Sequence, residues 1–225
     1  MTELAGTTSD YSVLEREPPE LMAANLRVGA RLWASATVFF FFAFLFAYFY
    51  LRSLDSHGLW RPKHIDPPQT IGILVTLAIV VGAVLVRLGY RDHVADRRPA
   101  WRIKGVVASV VFVVAIVLQI AGFATQGFGP TDGGYASVYV GWTGLQAVFV
   151  LGLLYWLETT LATSIRYRGG QAKRAEAEAS GDVEREQPDI ADPLALVRPA
   201  LEAMSFYALF LAGLAVAAWV ILYLV

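Results

Sequence analysis

Five long apolar stretches decide what this chain can fold into. They cover 32–51, 71–88, 103–124, 136–162 and 199–225. A bilayer core about 30 Å thick is crossed by about 20 helical residues rising 1.5 Å each. The second stretch is the shortest, and it extends to Leu88 if Arg87 runs its side chain toward water. The pattern predicts an all-α polytopic membrane protein, a bundle of five transmembrane helices over 32–225, with a 1–31 tail and a charged 163–198 loop.

Lysine and arginine set the orientation. The tail, the second loop and the fourth loop share one side and carry fifteen of them. The first loop carries three, and the third loop and the end of the chain carry none. The N-terminus is expected in the cytoplasm and the C-terminus outside. The 31 residues before the first stretch are polar and acidic rather than basic, which argues against a cleavable signal peptide.

Composition excludes several function classes. The chain is 56% apolar and only 16% charged, whereas soluble domains run near a quarter charged. Its 18 Lys and Arg against 19 Asp and Glu leave no basic excess for nucleic acid. There is no cysteine, hence no disulfide framework, iron–sulfur cluster or cysteine-ligated zinc.

The connections differ in character. The first, over 57–70, holds Trp60, Pro62, Pro67 and Pro68 and reads as a stiff outer turn. The third (126–134, QGFGPTDGG) is a tight Gly/Pro turn. In the fourth, 171–187 mixes both charges and reads as a solvated, partly helical excursion. Asp192 and Pro193 read as N-cap and first residue of the last helix, with Pro199 bending it before it enters the membrane.

Chemistry-bearing side chains are scarce. His57, His64 and His93 all fall in predicted loops, and Met204 is the lone methionine of the spans. A haem or copper buried between membrane helices takes its ligands from those helices, and these spans offer no histidine. No nucleophile–base set or carboxylate pair appears, so the chain alone reads as non-catalytic. The ten prolines sit in connections or at span ends, and no span carries a charge at its centre. Both observations weigh against a small transporter, the rival of a different class. Two acids lie near the membrane surface. Glu202, near the start of the fifth span, suits the positive end of a helix dipole. Glu158, nearer the end of the fourth, calls for a basic partner such as Arg166. Either is a candidate for contact with a lipid headgroup or a proton-uptake surface. Aromatics circle the first span, with an interfacial belt at Tyr48, Phe49 and Tyr50. Gly141 and Gly144, and Ala208 and Ala212, allow helices to approach closely.

The chain resembles subunit III of the haem–copper (cytochrome c) oxidases, in a divergent, five-helix bacterial form. Four stretches carry the likeness: 35–52 (SATVFFFFAFLFAYFYLR), 60–70 (WRPKHIDPPQT), 135–152 (YASVYVGWTGLQAVFVLG) and 201–224 (LEAMSFYALFLAGLAVAAWVILYL). Thr143, Gly144, Val150, Gly152, Glu202, Tyr207 and Phe210 keep the family's residues. The family's acid in the first span is Ala36 here. Its two histidines in the fourth span fall on Gln146 and Phe149. Its Trp, His and Asp in the last helix fall on Ala208, Leu209 and Ala212. The resemblance implies an accessory subunit with no cofactor of its own, the haem and copper lying in partner subunits. It implies packing against catalytic subunit I, with subunit II and others in the complex, a cleft for membrane phospholipid, support of proton entry during O2 reduction, and a place in the bacterial plasma membrane. Glu202, Glu158 and Tyr207 are its candidate lipid-contact or structural residues. A subunit III-like protein serving a nitric oxide reductase would share the fold.

Overall fold

The computed structural model describes residues 19–55, 57–179 and 196–225, the side chains of Pro19 and of 167–179 excepted. Five helices are long and apolar enough to cross a membrane, and the described residues contain no strand. They are α1 (Pro19–Ser53), α2 (Gln69–Val94), α3 (Arg98–Thr125), α4 (Gly134–Ala179) and α5 (Val197–Trp219), the last closed by a π-helical turn, Val220–Leu224. A helix pairs its own backbone N–H and C=O groups, which hydrocarbon demands.

The helices overrun the apolar stretches. Helix α1 begins thirteen residues before position 32, with Glu20 in its first turn. Helix α2 starts directly after Pro68 and carries His93 in its last turn. This corrects the expectation that all three histidines sit in loops: only His57 and His64 do. Helix α4 runs to Ala179, so 171–179 is helical. Pro199 lies in the first turn of α5, where it forfeits no intrahelical bond. Asp192 and Pro193 lie outside the described residues.

Packing depends on small residues. Helices α2 and α3 form a hairpin joined by three residues, 95–97, and Asp96 there adopts a positive φ of 56°. Gly82 of α2 faces Phe112 of α3 so closely that a methyl group there would lie 2.5 Å from the ring. Gly105 of α3 meets Leu161 of α4 in the same way, and Gly141 of α4 meets Phe44 of α1. Helix α5 is the hub, packing on α1, α2 and α4. Ala208 and Ala212 are both buried in it, and Met204 is fully buried in the same core.

Each end of the bundle is fastened differently. At the arginine-rich end, buried Asp92 is bonded to Lys104 of α3 and lies 3.4 Å from Arg97. Arg102 of α3 donates to the Ser164 hydroxyl and carbonyl of α4. At the opposite end, the loop between α1 and α2 folds onto the start of α4. Trp60 is buried edge-on against Tyr48 and Tyr135, and Tyr135 N–H donates to the Trp60 carbonyl at 2.9 Å. Tyr48 is therefore a core residue, not part of an interfacial belt, while Phe49 and Tyr50 remain exposed. The outward face of α3 is aliphatic, with Val106, Val110, Val113, Val117 and Ile120 exposed.

Gly82→Ala is expected to destabilise the chain in detergent by about 1–3 kcal/mol, because the buried Phe112 ring must move. Phe112→Leu in the same background restores part of the loss. Gly213→Ala, with open space around the position, leaves stability unchanged or raises it by up to about 1 kcal/mol. Thermal unfolding of the three variants checks this, and equal effects for Gly82→Ala and Gly213→Ala would refute the packing described.

Candidate functional site

A cleft opens between α1 and α4, bounded on one side by α5. Helices α1 and α4 touch through Gly141 and Phe44, then diverge toward the arginine-rich end and leave a cleft of about 930 Å³. Ligand pockets span roughly 300–1,000 Å³, so this is a large one. The overrunning start of α1 supplies Met22, Asn25, Leu26 and Gly29, spaced to fall on one helical face. Trp33 and Phe40 continue that wall. Opposite stand Phe149, Gly152 and Trp156 of α4, with Leu196 and Tyr207 at the α5 side. Gly29 and Gly152 have nothing within 4 Å of where a Cβ would lie. The absence of side chains at these two positions holds the cleft open.

Aromatic rings build the floor. Phe149 lies 6.3 Å from Trp33, 6.2 Å from Phe40 and 5.9 Å from Phe41. Tyr207 shares a 3.2 Å hydrogen bond with the hydroxyl of Thr37, which itself donates to the Trp33 carbonyl at 2.8 Å. The tyrosine thus ties α5 to α1 and presents its ring to the cleft. The lining is apolar, apart from Asn25 at the arginine-rich end and the polar edges of Trp and Tyr.

The structure places two of the sequence candidates, Tyr207 and Phe149, in the cleft. Glu202 lies beside it, on α5, and pairs with Arg27 of α1 at 3.5 Å. Both side chains are a little over half buried. The sequence missed this partner because 1–31 read as a tail. Met22, Leu26, Gly29 and Trp33, at spacings of three and four, were the signal for the extra helical turns. Glu158 is exposed and makes no ion pair among the described residues. Arg166 is no partner for it, since eight helical residues put the two about 12 Å apart along the axis. Ala36 and Leu209 are exposed on α1 and α5, and Ala212 is buried in the α5 seam. Gln146 is buried in a separate void, between α2, α3 and α4. The positions at which the family carries polar groups therefore do not gather at one point in this chain.

Among the described residues no three His, Cys, Asp or Glu side chains converge, and no histidine lines the cleft. The cleft is walled by aromatic rings and by two bare glycines.

A family model described as "Cytochrome c oxidase subunit III" matches residues 14–179, which cover α1 to α4 and stop before α5. Among curated proteins, the chain is 22% identical over 161 residues to "Cytochrome c oxidase subunit 3" of Cyanidium caldarium, covering 69% of this chain and 60% of that one. It is 23% identical over 136 residues to the protein of the same name from Mus musculus, covering 58% and 52%. With that of Latimeria chalumnae it shares 28% over 138 residues, covering 56% and 51%. The chain spans between half and three fifths of the length of these relatives.

Glu202→Gln is expected to change stability by less than about 1 kcal/mol, as for other half-exposed ion pairs. Lys104→Met strips the buried Asp92 carboxylate of one of its two partners and is expected to cost about 1–3 kcal/mol. Unfolding of both variants in the same detergent gives the comparison, and a larger loss for Glu202→Gln would overturn this assignment.

Proposed function

The chain belongs to the cytochrome c oxidase subunit III family, and from that premise we propose that it is the non-redox accessory subunit III of a haem–copper terminal oxidase. In this reading it packs on catalytic subunit I, with subunit II and others in the complex. It supports proton uptake and lasting turnover while the complex reduces O2 to water. The observation that carries the reading is the family match across 14–179, laid on five membrane-length helices.

The chain's own contribution is mechanical. Lipid tails are as apolar as leucine, so the hydrophobic effect does not bring membrane helices together. A cleft between them is stable only if something fills it, because an unfilled wall loses its dispersion contacts. An acyl chain of a membrane phospholipid does this on the aromatic floor at Trp33, Phe149 and Trp156. Its headgroup lies at the arginine-rich end, near Asn25 and the Arg27–Glu202 pair. Proton entry is assigned to that same end. In the sequence, fifteen of the 18 Lys and Arg belong to the N-terminal segment and the second and fourth loops, which supports a cytoplasmic placement of that side, with the C-terminus outside. The reading keeps the bacterial plasma membrane that the resemblance implies.

Two experiments test this. The tagged chain, purified from its native membranes in mild detergent, is expected to bring down a haem-bearing partner with an oxidase spectrum and O2-consuming activity. Recovery of the chain alone, with solute movement in vesicles, would sink the assignment. Gly152→Leu projects a side chain into the cleft from a position where nothing lies within 4 Å of the Cβ. It is expected to abolish phospholipid that co-purifies at fixed stoichiometry while leaving the unfolding temperature of the delipidated chain within about 2 °C, less than the shift from 1 kcal/mol. Undiminished phospholipid in that variant would remove the cleft as the lipid site.

A further inference from the structure

A second void lies between α2, α3 and α4, at least six residues from the nearest helix end. Its volume is about 10 Å³. Val75 and Ile79 of α2, Ala115 of α3 and Val150 of α4 make it largely aliphatic, with Gln119 of α3 and Gln146 of α4 as the exceptions. Both glutamines are more than nine-tenths buried, at 8% and 7% exposure. No described residue donates a hydrogen bond to Oε1 of Gln146. A side-chain amide offers two donors and two acceptor sites, and inside a membrane span such groups do not go unmatched without cost.

Size and chemistry select one occupant. About 10–15 Å³ is the smallest space that admits a water molecule, and a buried water needs two or more polar partners. Two amides from facing helices supply them. Nothing larger fits, and with no carboxylate on the wall nothing there selects a cation. We infer that this void binds a single structural water that bridges Gln119 and Gln146 and pins α3 to α4 within the membrane. The inference concerns the fold of this chain alone and is independent of its assembly with an oxidase.

The test uses the full chain in detergent micelles. In nuclear magnetic resonance of the 15N-labelled protein, the side-chain amides of Gln119 and Gln146 are each expected to show a cross-relaxation peak at the water frequency, with the sign of a long-lived complex. Gln119→Met and Gln146→Met identify the two signals by their loss. In thermal unfolding each single variant is expected to lower the midpoint by roughly 2–8 °C, since the remaining amide loses its bridge. The double variant recovers most of the loss, because a dry, apolar site of similar shape leaves no group unmatched. Strictly additive losses would overturn the inference. Coupling without the water peaks would overturn it too, since the amides would then bond directly. If a single variant does not fold, through-bond assignment of the wild-type protein identifies the two amides and its spectrum decides alone: water peaks on both support the bridge, and their absence excludes it.

Discussion

Hydrocarbon supplies no hydrogen bonds and no drive to bury apolar surface, and every feature of this chain follows from that. Helices are the backbone's answer to the first condition. Close approach at small residues answers the second. Gly82 against Phe112, Gly105 against Leu161 and Gly141 against Phe44 are the contacts through which rods that would otherwise be indifferent to one another recognise fixed neighbours. Helix α5, with Ala208 and Ala212 buried, collects three of those neighbours. The polar ties sit mainly toward the helix ends, where Asp92 meets Lys104 and Arg102 reaches Ser164.

The same rule accounts for the cleft. Gly29 and Gly152 are glycines with no facing side chain, so a seam that would close on a Phe or Leu stays open. The neighbouring aromatics offer flat contact area without hydrogen-bond demands. A groove built this way stores no chemistry. What it offers is shape, which is the basis of the lipid role proposed above.

Much of this was legible in the residues. Five apolar runs of membrane length became five helices, because backbone in hydrocarbon must pair its own polar groups. The likeness carried by 35–52, 60–70 and 135–152 pointed to the family. The losses at Gln146 and Phe149 put in doubt any role inherited through the family's polar groups. Helix overrun was harder to see. Residues 19–31 are polar enough to read as a tail, yet Met22, Leu26 and Gly29 recur at helical spacing and wall the cleft. His93 was misplaced for the same reason, since α2 outlasts its apolar run. The Arg27–Glu202 pair links positions 175 apart in sequence, and no local pattern encodes it. Arg166 was assigned to Glu158 by proximity in sequence, which an eight-residue helical separation does not honour.

The most direct measurement is a cryo-electron microscopy map of the complex isolated from native membranes. The account predicts elongated acyl-chain density between Trp33 and Trp156, with haem-bearing density belonging to a partner on another face of this chain. A cleft filled by a partner's side chains, or haem coordinated by this chain's own residues, would contradict it.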